Sequence, residues 1–145
     1  MERRHTKIKV WTNGTFDVLH VGHLKLLEFA ASLGELRVGI DSDKRVKELK
    51  GVDRPFNTTD DRKYFLECLK FVKEVVIFNS RQEMIDLVKE YQPDYMIIGD
   101  DYKDQPVYGS EHTKELIFFN KIKGYSSTKI INYGKNISNR WIRHR

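Results

Sequence analysis

Between residues 8 and 12 apolar side chains are interleaved with Lys9 and Thr12, and from 24 to 33 Leu and Ala recur at helical spacing. The first pattern predicts a strand and the second a helix. Gly34 follows in the position that commonly ends one. Residues 36–40 read as a second strand. The pattern then breaks over 41–62, DSDKRVKELKGVDRPFNTTDDR, which is polar, heavily charged and punctuated by Gly51 and Pro55. That stretch reads as a loop. Thr59 is the expected cap of a helix over 60–71, with Asp60 and Asp61 in its acidic first turn. A third strand is predicted over 74–78, and Ser80 with Glu83 forms a capping box for a helix that runs to Tyr91. Pro93 closes that connection. A fourth strand at 95–98 is bounded by Gly99, Asp100 and Asp101, a short helix falls near 109–113, and a fifth strand near 116–120. GYSST at 124–128 then turns into a final helix from Thr128.

Strands that alternate with helices at these intervals build right-handed βαβ units. The expectation is an α/β fold, a single domain with a doubly wound, mostly parallel five-stranded sheet. The 145 residues suit one domain with a core of its own. In such a sheet the binding crevice forms at the C-terminal ends of the strands, which makes the 41–62 loop a site candidate.

Charge changes the picture less than its total suggests. The chain carries +5 overall, but Arg3, Arg4 and Lys7 at one end and Lys135, Arg140, Arg143 and Arg145 at the other outweigh that sum. The body is therefore close to neutral and the basic tails, 1–7 and 135–145, read as solvated ends. Nucleic acid is not the expected partner, and strongly salt-dependent binding lost with the tails would be its signature. The single cysteine, Cys68, excludes an internal disulfide framework and fits a reducing cytoplasm. Lying among Phe65, Leu66, Leu69 and Phe71, it is expected to be a small core filler. No apolar run reaches the length of a membrane span, and the N-terminus lacks the apolar block of a signal peptide.

The chemistry concentrates in residues 13–23, NGTFDVLHVGH, at the junction of the first strand and first helix. Helix N-termini present free N–H groups and the positive end of the dipole, and Gly14 and Gly22 allow close approach of the backbone. His20 and His23 lie three apart, where two imidazoles reach the same phosphate chain. Asp17 is expected to hold the motif's loop by accepting backbone N–H bonds. Lys47, Lys50 and Arg54 add cations from the second loop, and Asp101 and Tyr102 lie just after the fourth strand, where a nucleoside would sit. Cations and N–H donors gathered in this way suit a polyphosphate.

GTFDVLHVGH resembles the HxGH signature of the cytidylyltransferase-like nucleotidyltransferases, and Ser126, Ser127 and Thr128 resemble that family's second signature. The likeness runs from Lys9 to Ile131. It implies a Rossmann-like sheet with the first strand central. It also implies transfer of a nucleoside monophosphate from ATP or CTP, with Mg²⁺ held by phosphate and water and no protein metal ligands. By the same resemblance His20, His23 and Lys50 would be catalytic, and Thr15, Phe16, Gly22, Asp101, Tyr102, Ser126, Ser127 and Thr128 would bind nucleotide. Lys47 and Arg54 would take the substrate phosphate. VKELKG, RPFN, Arg62, PDYMIIG and YGSE look like the heptose 1-phosphate adenylyltransferases. GDDY and STKI look like the glycerol-3-phosphate cytidylyltransferases, although Lys121 stands where those carry an arginine and loses its two-pronged contact. The heptose type ranks first. The expected partners are an NTP and a phosphorylated small molecule, with a homodimer common among enzymes of this size. A nucleotide-binding module without turnover is the reading from another class.

Overall fold

The computed structural model describes residues 7–120. The expected final helix, the basic tails apart from Lys7, which pairs with Glu35 at 3.2 Å, Lys121 and the triad Ser126, Ser127 and Thr128 lie outside them. In chain order the elements are β1 (Lys9–Gly14), α1 (Val21–Leu33), β2 (Glu35–Asp41), α2 (Asp43–Lys50) and α3 (Thr59–Glu67). They continue with β3 (Glu74–Phe78), α4 (Arg81–Tyr91), β4 (Tyr95–Gly99), short 3₁₀ turns at Asp100–Tyr102 and Ser110–His112, and β5 (Glu115–Phe119).

The five strands form one all-parallel sheet in the order β3-β2-β1-β4-β5. β1 is central, as the family resemblance implies. Strands covered on both faces are apolar almost throughout. On one face Val10, Leu36, Val38, Ile40, Val75 and Ile97 pack with Leu27 and Ala30 of α1 and Leu66 of α3. On the other, Trp11, Phe78, Met96 and Ile98 pack with Met84 and Val88 of α4. Helices on both sides make the sheet doubly wound.

Order reverses between β1 and β4, which is the switch point of the sheet, and the register shows the strands parting there. β1 pairs with β2 as far as Gly14 and Ile40, whereas its pairing with β4 covers Val10–Tyr95 and Trp11–Met96. Above that point the Thr12 hydroxyl donates to the Ile97 carbonyl at 2.7 Å and bridges the diverging backbones.

Three local expectations change. The charged stretch after β2 is not all loop: Ser42 accepts from the Arg45 N–H and caps α2, whose Val46 is fully buried. One apolar residue among lysines anchors a helix that hydropathy alone reads as solvent-exposed. The cap of α3 is Thr58, which accepts from the Asp61 N–H, and the helix ends at Glu67 instead of residue 71. Thr59 is thereby released to bind elsewhere. Cys68, the residue after that helix, is exposed and fills no core.

Candidate active site

The turn between β1 and α1 is held from inside. Phe16 adopts a left-handed backbone with φ 50°, rare for a side-chain-bearing residue. Its ring lies over Gly14, where a Cβ would stand 3.1 Å from the ring edge. The glycine thus makes room for Phe16. The same ring sits 5.3 Å from the His23 ring, centroid to centroid.

His20 is the N-cap of α1, extended at φ −141°, and Gly22 and His23 lie in the first turn. The His20 Nδ1 accepts from the His23 backbone N–H at 3.4 Å, and the His23 Nδ1 accepts from the His20 N–H at 3.2 Å. This is a capping box in which imidazoles replace the usual hydroxyl and carboxylate. A ring nitrogen that accepts carries no proton, so each neutral imidazole bears its proton on Nε2. The rings stack at 3.8 Å. Two Nε2–H donors on adjacent, locked rings at a helix start suit an anionic oxygen.

Asp17 is buried and has the structural role expected, though toward a different loop. Its carboxylate accepts from the Phe56 and Asn57 N–H groups, both at 2.7 Å, and from Arg54 Nε at 3.2 Å, while its carbonyl accepts from Asn57 Nδ2 at 2.6 Å. The histidine-bearing turn and the 54–57 loop are therefore one unit. Lys47 donates to the Arg54 carbonyl at 3.2 Å. Lys50 is exposed as a residue, yet partial desolvation of its ammonium, then the Arg54 charge, lowers its pKa from the ordinary 10.5. Asp41 and Asp17 oppose that shift, and Arg62 adds to it.

On the far side of β1, Asp101 folds its carboxylate back over Gly99, so that a Cβ on Gly99 would lie 2.7 Å from Oδ1. Tyr102 is half exposed; desolvation, Asp101 and Asp41 raise its hydroxyl pKa. Asp41, at the end of β2, thus acts on both Lys50 and Tyr102. Its Oδ1 accepts from Arg45 Nε at 2.8 Å.

The structure therefore gathers His20, His23, Thr15, Phe16 and Gly22 in one turn, ties Arg54 to it through Asp17 with Lys47 on the Arg54 carbonyl, leaves Lys50 within electrostatic reach of Arg54 and Asp17, and sets Asp101 and Tyr102 at the end of β4. Arg62 entered the sequence reading only as part of a resemblance. It is fully buried and donates to the Thr15 carbonyl at 2.9 Å and the Asp41 carbonyl at 2.7 Å. Its signal was a charge four residues before the buried Leu66, on the apolar face of α3. No group of three or more His, Cys, Asp or Glu suited to a metal occurs among the described residues. Nor is any described helix long and apolar enough to cross a membrane.

The relatives of this chain place the same fold in a family. The model of the cytidylyltransferase-like family matches residues 11–145, and the chain belongs to that family. Among curated proteins it is similar to the bifunctional protein HldE of Campylobacter fetus, 44% identical over 89% of this chain and 28% of that one. It is likewise similar to HldE of a Nitratiruptor species, 46% identical over 84% and 26% of the two chains. HldE of Helicobacter pylori is 41% identical over 96% and 30%. The chain thus spans less than a third of the length of these relatives. Among solved structures, a lipopolysaccharide core biosynthesis protein from Thermoplasma volcanium shares the fold, with a TM-score of 0.64, 24% identity and coverage of 83% of this chain and 100% of that one.

Proposed function

We propose that this chain is a nucleotidyltransferase that moves AMP from ATP to a phosphorylated sugar of the heptose 1-phosphate type and releases pyrophosphate. The observation that carries the reading is the reciprocal His20–His23 cap at the switch point of a parallel sheet. The similarity to the HldE proteins over most of the chain favours the sugar-phosphate enzyme over the glycerol-phosphate one.

In the proposed step a phosphate oxygen of the sugar forms a bond to the α-phosphorus of ATP. The bond from that phosphorus to the oxygen bridging the α- and β-phosphates breaks, and pyrophosphate leaves with the electron pair. Charge builds on the α-phosphate oxygens and the leaving group. The Nε2–H groups of His20 and His23, with the first N–H groups of α1, would donate to that charge. Lys47, Lys50 and Arg54 would draw in the sugar phosphate. Asp101 and Tyr102 would flank the nucleoside, and Ser126, Ser127 and Thr128 would hold the β- and γ-phosphates. A Mg²⁺ ion held mainly by phosphate and water would neutralise the triphosphate. A cytoplasmic location and a homodimer belong to the same reading.

Thermal shift with ATP, CTP, GTP and UTP in the presence of Mg²⁺, followed by pyrophosphate release with sugar phosphates and glycerol phosphate, tests it. A bound nucleotide raises the melting point by linkage. Release that requires ATP and a sugar phosphate supports the proposal; release with CTP and glycerol phosphate replaces it, and binding without release points to a nucleotide-binding module.

A further inference from the structure

Arg62 has no solvent-exposed surface, an environment hostile to a guanidinium unless every donor is satisfied. Its donors are accounted for. Nε donates to the Asn57 carbonyl at 3.0 Å, and Nη1 to the carbonyls of Thr15 at 2.9 Å and Asp41 at 2.7 Å. Nη2 donates to Asp43 Oδ1 at 3.0 Å and Thr59 Oγ1 at 3.3 Å. These partners come from the ends of β1 and β2, the first residues of α2 and α3, and the loop between those helices. The Asp43 N–H also donates to Thr59 Oγ1, at 2.8 Å, and locks the two helix starts together.

We infer that Arg62 is a positioning residue for nucleotidyl transfer: it fixes the separation between the histidine-bearing turn after β1 and the lysine-bearing helix α2. The inference rests on the function proposed above. A side chain needed only for volume could be apolar, and such replacements of buried charge are well tolerated. Here the five N–H donors go to the lips of the crevice, where strands end and ligands bind in open α/β sheets. Arg62 is also among the charges that depress the Lys50 pKa, so it stands within electrostatic reach of that lysine. A planar fork that grips both lips fixes the gap across which two phosphates must meet in line.

Two variants test this. Arg62→Lys keeps the charge and forfeits the fork; Asp43→Asn removes the charge of one partner, at a side chain 40% exposed, and leaves an amide oxygen that still accepts. Pyrophosphate release gives kcat and the KM values for ATP and sugar phosphate. Amide hydrogen exchange reports on residues 42–46 and 54–57. Arg62→Lys should lose about tenfold or more in kcat and raise the KM for sugar phosphate more than that for ATP. Exchange should quicken in both segments while α4 stays protected. Asp43→Asn should move the same quantities less, and the double variant should fall short of the product of the two. Kinetics of Arg62→Lys within about twofold of the parent, or losses that merely follow the unfolded fraction, overturn the inference. If Arg62→Lys does not fold, the KM values of Asp43→Asn decide: a selective rise for sugar phosphate supports it and unchanged values overturn it. Should the parent protein release no pyrophosphate, the function reading fails, and the exchange data alone decide whether Arg62 couples the two segments.

Discussion

His20 and His23 hold each other through their backbones: each ring nitrogen Nδ1 takes the other residue's N–H while the two rings stack at 3.8 Å. In the proposed function the arrangement separates two jobs within one side chain, since Nδ1 caps the helix and Nε2 would serve the chemistry. Asparagine at position 20 performs the first job and not the second, because its amide oxygen is a favoured helix cap. His20→Asn should therefore melt within a few degrees of the parent and lose about a hundredfold or more in turnover. His20→Ala loses the cap as well, at a cost of about 1 kcal/mol. Melting curves paired with pyrophosphate release check both, and a His20→Asn protein of normal turnover would remove the ring from the mechanism.

Lys50 sets an expectation for pH. Its folded pKa lies below the 10.5 of the free side chain, so between the two values the unfolded chain binds the extra proton. Stability should rise with pH across that window, and the same deprotonation discharges the site. The alkaline fall in kcat/KM should thus begin below the ordinary lysine range. Lys50→Arg keeps its charge and should shift that limb upward. Superimposable pH profiles for the two proteins would show that the limb belongs to another group.

Asp17 joins the two halves of the site at a carboxylate only 1% exposed. Asp17→Asn turns one accepting oxygen into a donor facing N–H groups and removes the carboxylate charge beside Arg54, 11% exposed. Breaking a buried pair in this way should destabilise the fold by about 3 kcal/mol. Urea unfolding measures it. A change well under about 1 kcal/mol would show the loop is held chiefly by other contacts.

Gly99 and Asp101 make a linked pair. A methyl group on Gly99 would meet the Asp101 carboxylate at 2.7 Å, and that flexible end would have to swing away. If Asp101 reads the nucleoside, Gly99→Ala and Asp101→Gly should both alter the ratio of ATP to CTP use, in the same direction. Ratios unaltered in both variants would exclude Asp101 from base selection.

What the sequence yields and withholds follows from the range of the interactions. The strands, α1 and α4 are written in local periodicity, and the paired histidines in a motif whose two members share one helical turn. α2 was missed because a single buried residue, Val46, carries its packing. The partners of Asp17 lie about forty positions away, at Phe56 and Asn57, and Arg62 reaches back to Asp41 and Thr15. No window of neighbouring residues contains such pairs. Thr59 shows the confusion at its smallest: one position separates the hydroxyl that caps α3 from the one that fastens α2.

The early end of the β1–β4 ladder, at Trp11 and Met96, has a bearing on how a visitor enters. Because the backbone ladder has already stopped there and only the Thr12 hydroxyl spans the seam to Ile97, a guest seated at that point would need no further strand pairing undone.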